Sequence, residues 1–154
     1  MKITLEQLSD FLSKANKHTY AADGIKTEST RLASEDFDFK EGDLTYHDTY
    51  FGSDKFIGEE IVWKNEKMIW GMNYYGKVLS AVVSGEEIYE FLKKALSQVE
   101  DAMPFRGPKA FDEENFHYRN SNSGSVEEFH GIEMILYQES RIYELQYHGG
   151  IAKK

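Results

Sequence analysis

Two glutamates, Glu60 and Glu133, are the strongest candidates for acid–base chemistry in this sequence. Each closes the same pattern, Phe-x-Gly-x-Glu, at residues 56–60 and 129–133. If the two segments meet in the fold, a close carboxylate pair raises one of the two pKa values and suits a general acid or base. The pattern therefore allows a small hydrolase or isomerase that uses Glu60 and Glu133 as acid and base.

Other polar side chains recur at the same spacing as this pair. Asn73 is matched by Gln146, and Tyr75 is matched by His148. Small-molecule sites combine aromatic walls with a few placed polar groups, so these positions predict a ligand pocket beside the two glutamates. A solvated sheet face is the alternative interpretation, because such side chains are ordinary there.

No other catalytic or metal-binding motif is evident. The five histidines show neither HxH nor HExxH spacing, and the chain contains no Gly-x-Ser-x-Gly elbow and no glycine-rich phosphate loop. The absence of cysteine excludes disulfides, thiolate metal ligands and a cysteine nucleophile. We predict neither a metal site nor a cofactor.

The composition favours one soluble domain that acts away from nucleic acid and membranes. The chain has 154 residues and a formal net charge of −9, from 27 acidic and 18 basic residues. This surplus of negative charge repels polyanions, so we expect no nucleic-acid binding by the chain itself. No apolar run has the length of a signal peptide core or a membrane span. We expect a cytoplasmic protein with a single domain over residues 1–154.

Two amphipathic helices begin at clear capping boxes. Thr4 with Gln7 starts the first helix, and Ser84 with Glu87 starts the second. Apolar residues follow each cap at helical spacing. The first stripe consists of Leu5, Leu8, Phe11, Leu12 and Ala15, and the second of Ile88, Phe91, Leu92, Ala95, Leu96 and Val99.

Strands fill most of the remaining sequence. Residues 44–51 alternate as a strand that places Leu44, Tyr46, Asp48 and Tyr50 on one face. Residues 56–78 and 129–151 are each predicted as a β-hairpin. With Lys64 paired to Lys67 and no irregularity, the face predicted to pack on the core holds Ile57, Glu59, Ile61, Trp63, Met68, Trp70, Met72 and Tyr74. Glu60, Asn73 and Tyr75 then share the opposite face.

The helix and the hairpin both occur twice, which predicts internal repeats at about 4–80 and 84–151. The predicted fold is α+β, with two pseudo-twofold-related α-β-β-β repeats and a curved antiparallel sheet packed by two helices. Residues 20–41 are predicted as a surface loop with one short strand near 37–39. Residues 103–111, which contain both prolines, are predicted as a rigid linker, and 120–125 as a polar turn.

The preferred functional hypothesis is a small-ligand-binding or sensor module with a pocket between the two repeats. A protein-interaction or dimerisation module is the alternative, and a homodimer is compatible with it. Arg31 stands among neutral and acidic residues, either solvated or paired with a carboxylate. The predicted ligand-binding residues are Arg31, Tyr46, Asp48, Tyr50, Glu60, Asn73, Tyr75, Glu133, Gln146 and His148.

Several motifs together resemble one known family. They are Arg31, GD at 42–43, YHDTYFG at 46–52, FxGxE at 56–60 and 129–133, WGMNYYG at 70–76, FRGP at 105–108 and YHGG at 147–150. With these motifs the chain resembles a family of uncharacterised bacterial and archaeal domains of unknown function. Members occur alone or C-terminal to helix-turn-helix DNA-binding domains of the phage-repressor type. The resemblance implies no established activity, and its DNA-binding neighbours imply a sensor or partner-binding role.

Overall fold

The computed structural model describes residues 3–152 of the chain. It contains two α-helices, one short 3₁₀ helix (Tyr20–Ala22) and eight strands. The first half comprises α1 (Leu5–His18), β1 (Glu35–Glu41), β2 (Leu44–Gly52), β3 (Lys55–Lys64) and β4 (Lys67–Val78). The second half comprises α2 (Gly85–Leu96), β5 (Ala110–Glu113), β6 (Phe116–Ser125), β7 (Glu128–Tyr137) and β8 (Ser140–Ile151).

All eight strands form a single open antiparallel sheet in the order β1-β2-β3-β4-β8-β7-β6-β5. The predicted α+β fold of two α-β-β-β repeats was wrong. Each half supplies four strands, and the chain is 51% strand and 19% helix. The two halves meet where β4 pairs with β8, in register from Trp70–Ile151 to Val78–Tyr143.

The short strand predicted near 37–39 is longer in the structure, where β1 covers Glu35–Glu41 despite an acidic sequence that resembles a solvated loop. Its Asp36 is nevertheless fully buried, because polar groups surround the carboxylate. Thr30 donates its hydroxyl to one Asp36 oxygen at 2.7 Å, and the His47 ring contacts the same oxygen at 2.7 Å. Buried carboxylates are tolerated when they are hydrogen-bonded in this way. Charge alone is therefore a misleading indicator of exposure in this segment.

The strands of the second half also extend beyond their predicted limits. The end of the predicted linker forms β5, which pairs with β6 from Ala110–Arg119 to Glu113–Phe116. The predicted polar turn at 120–125 is instead the second half of β6, which continues to pair with β7 as far as Ser125. The composition of this segment is misleading, because Ser and Asn are typical of turns.

Both helices lie on the same face of the sheet and bury most of their apolar stripes there, whereas Leu5 at the start of the first stripe is exposed. The predicted capping boxes are confirmed, with side-chain and backbone hydrogen bonds between Thr4 and Gln7 and between Ser84 and Glu87. Phe11 of α1 and Ile88 of α2 are fully buried, in one apolar cluster with Trp70 at the sheet centre. Among residues 3–152, neither helix has the length and apolar character needed to cross a membrane.

A β-bulge in each hairpin decides which side chains face the core. The turn pairs Lys64 with Lys67 as predicted, but the register shifts so that Val62 pairs with Trp70 and Ile69 is extra. A matching shift lies between Ile135 and Leu136 in the second hairpin. Trp70, Met72 and Tyr74 face the core as predicted. Their core neighbours on β3 are Gly58, Glu60 and Val62, so the predicted facing of β3 was wrong.

Candidate functional site

A cavity of about 430 Å³ lies beneath the helices on the core face of the sheet. It is bounded by the end of α1, the 3₁₀ helix, strands of the first half, and α2. Its aromatic lining consists of Tyr20, Phe37, Tyr46, Tyr50, Phe56, Tyr74 and Tyr89. Asp48, Glu60 and Arg106 also line the cavity. The volume and this mixture of aromatic and polar lining are typical of sites for small organic molecules.

Asp48 and Glu60 form an adjacent carboxyl pair in this cavity. The two residues are direct cross-strand partners on β2 and β3, and they are 5% and 2% exposed. The Tyr74 hydroxyl donates a hydrogen bond of 2.6 Å to Asp48 Oδ1. Within the described part of the chain, Glu60 Oε2 is buried and has no hydrogen-bond partner. A buried carboxylate oxygen without a partner costs free energy; protonation reduces this cost by removing the charge, and a hydrogen bond to a ligand removes it.

Burial raises the pKa of both carboxyls, because loss of water disfavours the charged form. It raises the pKa of Glu60 to about 8, with a further contribution from the negative charge of Asp48. It raises the pKa of Asp48 to about 6, and the hydrogen bond from Tyr74 limits that rise. Arg106 acts through its charge to lower both values. Burial therefore favours a protonated carboxyl in this pair near neutral pH, more strongly at Glu60 than at Asp48.

Glu133 occupies a different environment, in which both carboxylate oxygens are hydrogen-bonded. Arg106 donates one hydrogen bond from Nε to Oε2 at 3.1 Å and another from Nη2 to Oε1 at 2.6 Å. The hydroxyls of Tyr118 and Tyr143 donate to the same two oxygens at 2.6 and 2.8 Å. Such bidentate, fully satisfied pairs are the form in which buried charges are stable. We call Asp48, Glu60, Arg106 and Glu133 the buried polar cluster.

The two halves of the sheet build the same framework but place different charges on it. In the second half Asn120 pairs with Glu133 across β6 and β7, as Asp48 pairs with Glu60 across β2 and β3. Tyr147 donates to Asn120 Oδ1 at 2.8 Å, as Tyr74 donates to Asp48. At these positions the second half thus has the amide of Asn120 and the carboxylate of Glu133, whose charge is neutralised by Arg106. The first half has two carboxyls without a matching cation.

Gly58 provides the space that lets Tyr74 reach Asp48. A Cβ atom at this position would overlap the Tyr74 hydroxyl and would lie 2.6 Å from the backbone oxygen of Thr49. We expect Gly58→Ala to lower the free energy of unfolding by about 1–3 kcal/mol, because overpacking displaces the tyrosine. Urea unfolding measures this loss. Gly85→Ala is the control, because its nearest neighbour would be 3.7 Å away, and unchanged stability in Gly58→Ala would contradict the packing argument.

The rim of the cavity carries charges of both signs in pairs. Lys26 contacts Glu35 at 2.7 Å, with both side chains about half exposed. Lys93 of α2 pairs with Asp23, which follows the 3₁₀ helix. The rim charges therefore cancel, and the buried polar cluster determines the sign of the electrostatic potential inside.

The structure separates the predicted ligand-binding residues into three groups. Tyr46, Asp48, Tyr50 and Glu60 line the cavity. Glu133 lies behind Arg106 on the same face of the sheet. The remaining residues, which are exposed and do not line the cavity, are Arg31, Asn73, Tyr75, Gln146 and His148. Arg31 pairs with Glu59 at 2.8 Å. A role in ligand binding stays a prediction for all ten residues.

Sequence reasoning missed several residues that line the cavity, above all Arg106. This residue lies in the segment predicted only as a linker, although it is part of the FRGP motif. Tyr74 is predicted as a core residue without a polar role, and Tyr20, Phe37 and Tyr89 are absent from the predicted site. A basic residue between apolar residues in a proline-containing segment was the available signal for a buried ion pair.

The geometry gives no support for a metal ion. Within residues 3–152, no three side chains of His, Cys, Asp or Glu are grouped so that they could hold a metal. The buried polar cluster instead offers three carboxyls and one guanidinium, and tyrosine hydroxyls surround it. These groups recognise organic molecules by hydrogen bonding and charge.

The fold and the cavity together define a class of protein. Its members have an open antiparallel sheet with two helices on one face, and a cavity beneath the helices that is lined by charged residues. A family model described as "Domain of unknown function (DUF5680)" matches residues 48–152, which is more than half of the chain. The chain belongs to this family, and the predicted resemblance to an uncharacterised domain is confirmed. The matched range includes the whole buried polar cluster. Comparison with curated proteins and with solved structures gave no match.

Proposed function

We propose that this protein is a small-molecule-binding or sensor module whose ligand occupies the cavity beneath the helices. The observation that carries the proposal is a cavity of about 430 Å³ with aromatic walls and buried polar groups at its base. A stable core does not require a space of this size beside the unpartnered oxygen of Glu60, since protein interiors are normally close-packed. The composition of the chain supports a cytoplasmic location for this function.

Blocking the cavity tests the proposal directly. Ala21 lines the cavity, whereas its neighbour Ala22 in the same 3₁₀ helix is exposed and does not. A metabolite library is screened by thermal shift and native mass spectrometry against the unmodified protein. We expect at least one ligand to raise the melting temperature, and we expect Ala21→Trp but not Ala22→Trp to abolish that rise.

Two outcomes of this screen would contradict the proposal. One is the absence of any ligand in a library that spans cations, anions and neutral metabolites. The other is a ligand whose effect is equal in Ala21→Trp and Ala22→Trp, because such a ligand binds elsewhere. Both variants must unfold cooperatively without ligand for the comparison to hold.

A small hydrolase or isomerase is the second candidate function, and the Asp48–Glu60 pair favours it. The pKa values of these adjacent carboxyls are separated, at about 6 and about 8, as is common when one group acts as base and the other as acid. Glu133 is fully engaged by Arg106 and two tyrosines, so Asp48 is the better partner for Glu60. Catalysis would be supported if the unmodified protein chemically converts a bound ligand and Glu60→Gln does not. Recovery of every bound ligand without chemical change would contradict it.

A sensor role follows from the family resemblance rather than from the cavity. Domains of this kind that follow a helix-turn-helix domain would couple ligand binding to DNA binding by a neighbouring domain. The alternative of a protein-interaction or dimerisation module stays a prediction. Light scattering at several concentrations tests self-association, and a monomer at every concentration would contradict it.

A further inference from the structure

We propose that the cavity ligand is an organic cation, such as an amine or amidine, whose charged nitrogen binds between Asp48 and Glu60. This inference rests on the proposed binding function and specifies the chemical class of the ligand. It is carried by the unmatched carboxyl pair, by the aromatic lining and by the difference between the two halves of the sheet.

The charge inside the cavity favours a cation. The buried polar cluster contains three carboxyls and one guanidinium. Arg106 is held by Glu133 through two hydrogen bonds, so it matches that carboxylate. Asp48 and Glu60 are adjacent, nearly inaccessible to water, and without a cationic hydrogen-bond partner in the described chain. A ligand cation would supply the missing charge.

The unpartnered oxygen of Glu60 favours a ligand with several donors. Glu60 is 2% exposed, lines the cavity, and has an Oε2 atom without any donor among the described residues. Ammonium and amidinium groups carry several N–H donors and no acceptor. Such a group can donate to Glu60 and Asp48 at once, which a neutral alcohol with a single donor cannot do.

The aromatic lining suits a cation with an apolar body. Five of the lining residues are tyrosines, and Phe37 and Phe56 complete the wall. The faces of aromatic rings attract cations, and this attraction is stronger away from water. The lining already holds two cations in this manner: the Arg106 guanidinium lies 5.6 Å from the centre of the Tyr74 ring, and the Lys93 ammonium lies 5.4 Å from that of Tyr20.

An anionic ligand fits the same site poorly. The basic residues at the rim, Lys26 and Lys93, are paired with acidic residues, and Arg106 is paired with Glu133. A carboxylate or phosphate ligand would approach Asp48 and Glu60 without an unpaired cation to receive it. Like charges in a site of low polarity repel strongly.

Cation binding is expected to release a proton. Burial raises the pKa of Glu60 to about 8, which favours its protonated form near neutral pH. A bound cation stabilises the ionised form, so the proton leaves as the ligand enters. Affinity should therefore increase with pH up to about 8, by about tenfold per pH unit where Glu60 is protonated in the free protein.

Three probes of nearly equal shape test the charge of the ligand: benzamidine as cation, benzamide as neutral analogue and benzoate as anion. Binding is followed by amide chemical shifts of the ¹⁵N-labelled full chain at pH 6, 7 and 8. We expect benzamidine to shift residues around the cavity and to bind at least tenfold tighter than the other two. Its dissociation constant should fall by about tenfold from pH 6 to 7 and by about fivefold from pH 7 to 8, where Glu60 is already half ionised.

Two variants and one control identify the carboxyls. Glu60→Gln and Asp48→Asn should each weaken benzamidine binding by at least tenfold, and Glu60→Gln should remove the pH dependence. Asp48→Asn preserves the hydrogen bond to Tyr74, since Asn120 accepts the same bond from Tyr147. Glu59→Gln is the matched control, because Glu59 lies on the opposite face of β3 and pairs with Arg31.

The result that overturns the inference is equal or tighter binding of benzamide or benzoate, or no response of cavity residues to benzamidine. If the library yields a neutral or anionic ligand whose binding Ala21→Trp abolishes, the ligand is not a cation. The proposed binding function would then still hold. If the library also yields no ligand that Ala21→Trp blocks, both proposals fail together.

Discussion

Arg106→Met is expected to lower the free energy of unfolding by about 3–5 kcal/mol, the largest loss expected from a single substitution in the buried polar cluster. The guanidinium is 10% exposed and is the only group with a positive charge that hydrogen-bonds to Glu133 in the described structure. Its removal leaves a fully buried carboxylate with two tyrosine donors and no compensating charge. Urea unfolding of the variant and of the unmodified protein at pH 7 measures the difference.

The matched control is Arg31→Met, which makes the same chemical change in an exposed ion pair. Arg31 contacts Glu59 at 2.8 Å, and their side chains are 51% and 35% exposed. Exposed pairs contribute about 0–1 kcal/mol, so little change is expected. Adding Glu133→Gln to Arg106→Met should recover at least about 1 kcal/mol, because the uncompensated charge is gone. Equal losses in the two arginine variants would show that Arg106 has no special structural role.

Glu60→Gln is expected to stabilise the protein at high pH and to leave it unchanged at low pH. The pKa of Glu60 is raised from 4.5 to about 8 in the folded state. Between these values the folded state holds a proton that the unfolded state has released, so stability falls as pH rises through this range. Replacement by glutamine removes that penalty. We expect a gain of about 2–5 kcal/mol at pH 9 and a change within about 1 kcal/mol at pH 4.

The comparison is made as a difference between variant and unmodified protein at each pH, so that other titrating groups cancel. Glu59→Gln, one residue away on the exposed face, should show no such dependence on pH. Asp48, whose pKa burial also raises, is present in both proteins and is therefore removed from the comparison in the same way. A constant difference between Glu60→Gln and the unmodified protein from pH 4 to pH 9 would mean that Glu60 is not buried as a neutral acid.

Local sequence signals were sufficient for the helices and for most of the strands. Thr4 and Ser84 cap their helices as predicted, because capping is an interaction within four residues. The hairpin around Lys64 and Lys67 and the strand that begins at Leu44 also form as predicted. In each case the determining contacts are between residues close in the sequence.

The facing of β3 and the burial of Asp36 in β1 were not predictable in the same way. One extra residue in β4, Ile69, turns Glu60 from the predicted outer face to the core, since side chains alternate along a strand. Asp36 in β1 is buried because Thr30, Ser34 and His47 surround it. Its acidic neighbours gave the opposite expectation. Both outcomes depend on the register within a hairpin and on side-chain hydrogen bonds, which hydrophobic patterning and charge do not reveal.

The sequence by itself identified two capped amphipathic helices, two matching hairpins, and Asp48, Glu60 and Glu133 as residues of interest. Only the tertiary structure decided what surrounds these carboxyls. It placed Arg106, from a segment that resembles a linker, against Glu133, and it left Asp48 and Glu60 together beside the cavity. The physical reason is that the energy of a buried charge depends on which groups surround it in space, and those groups come from distant parts of the chain.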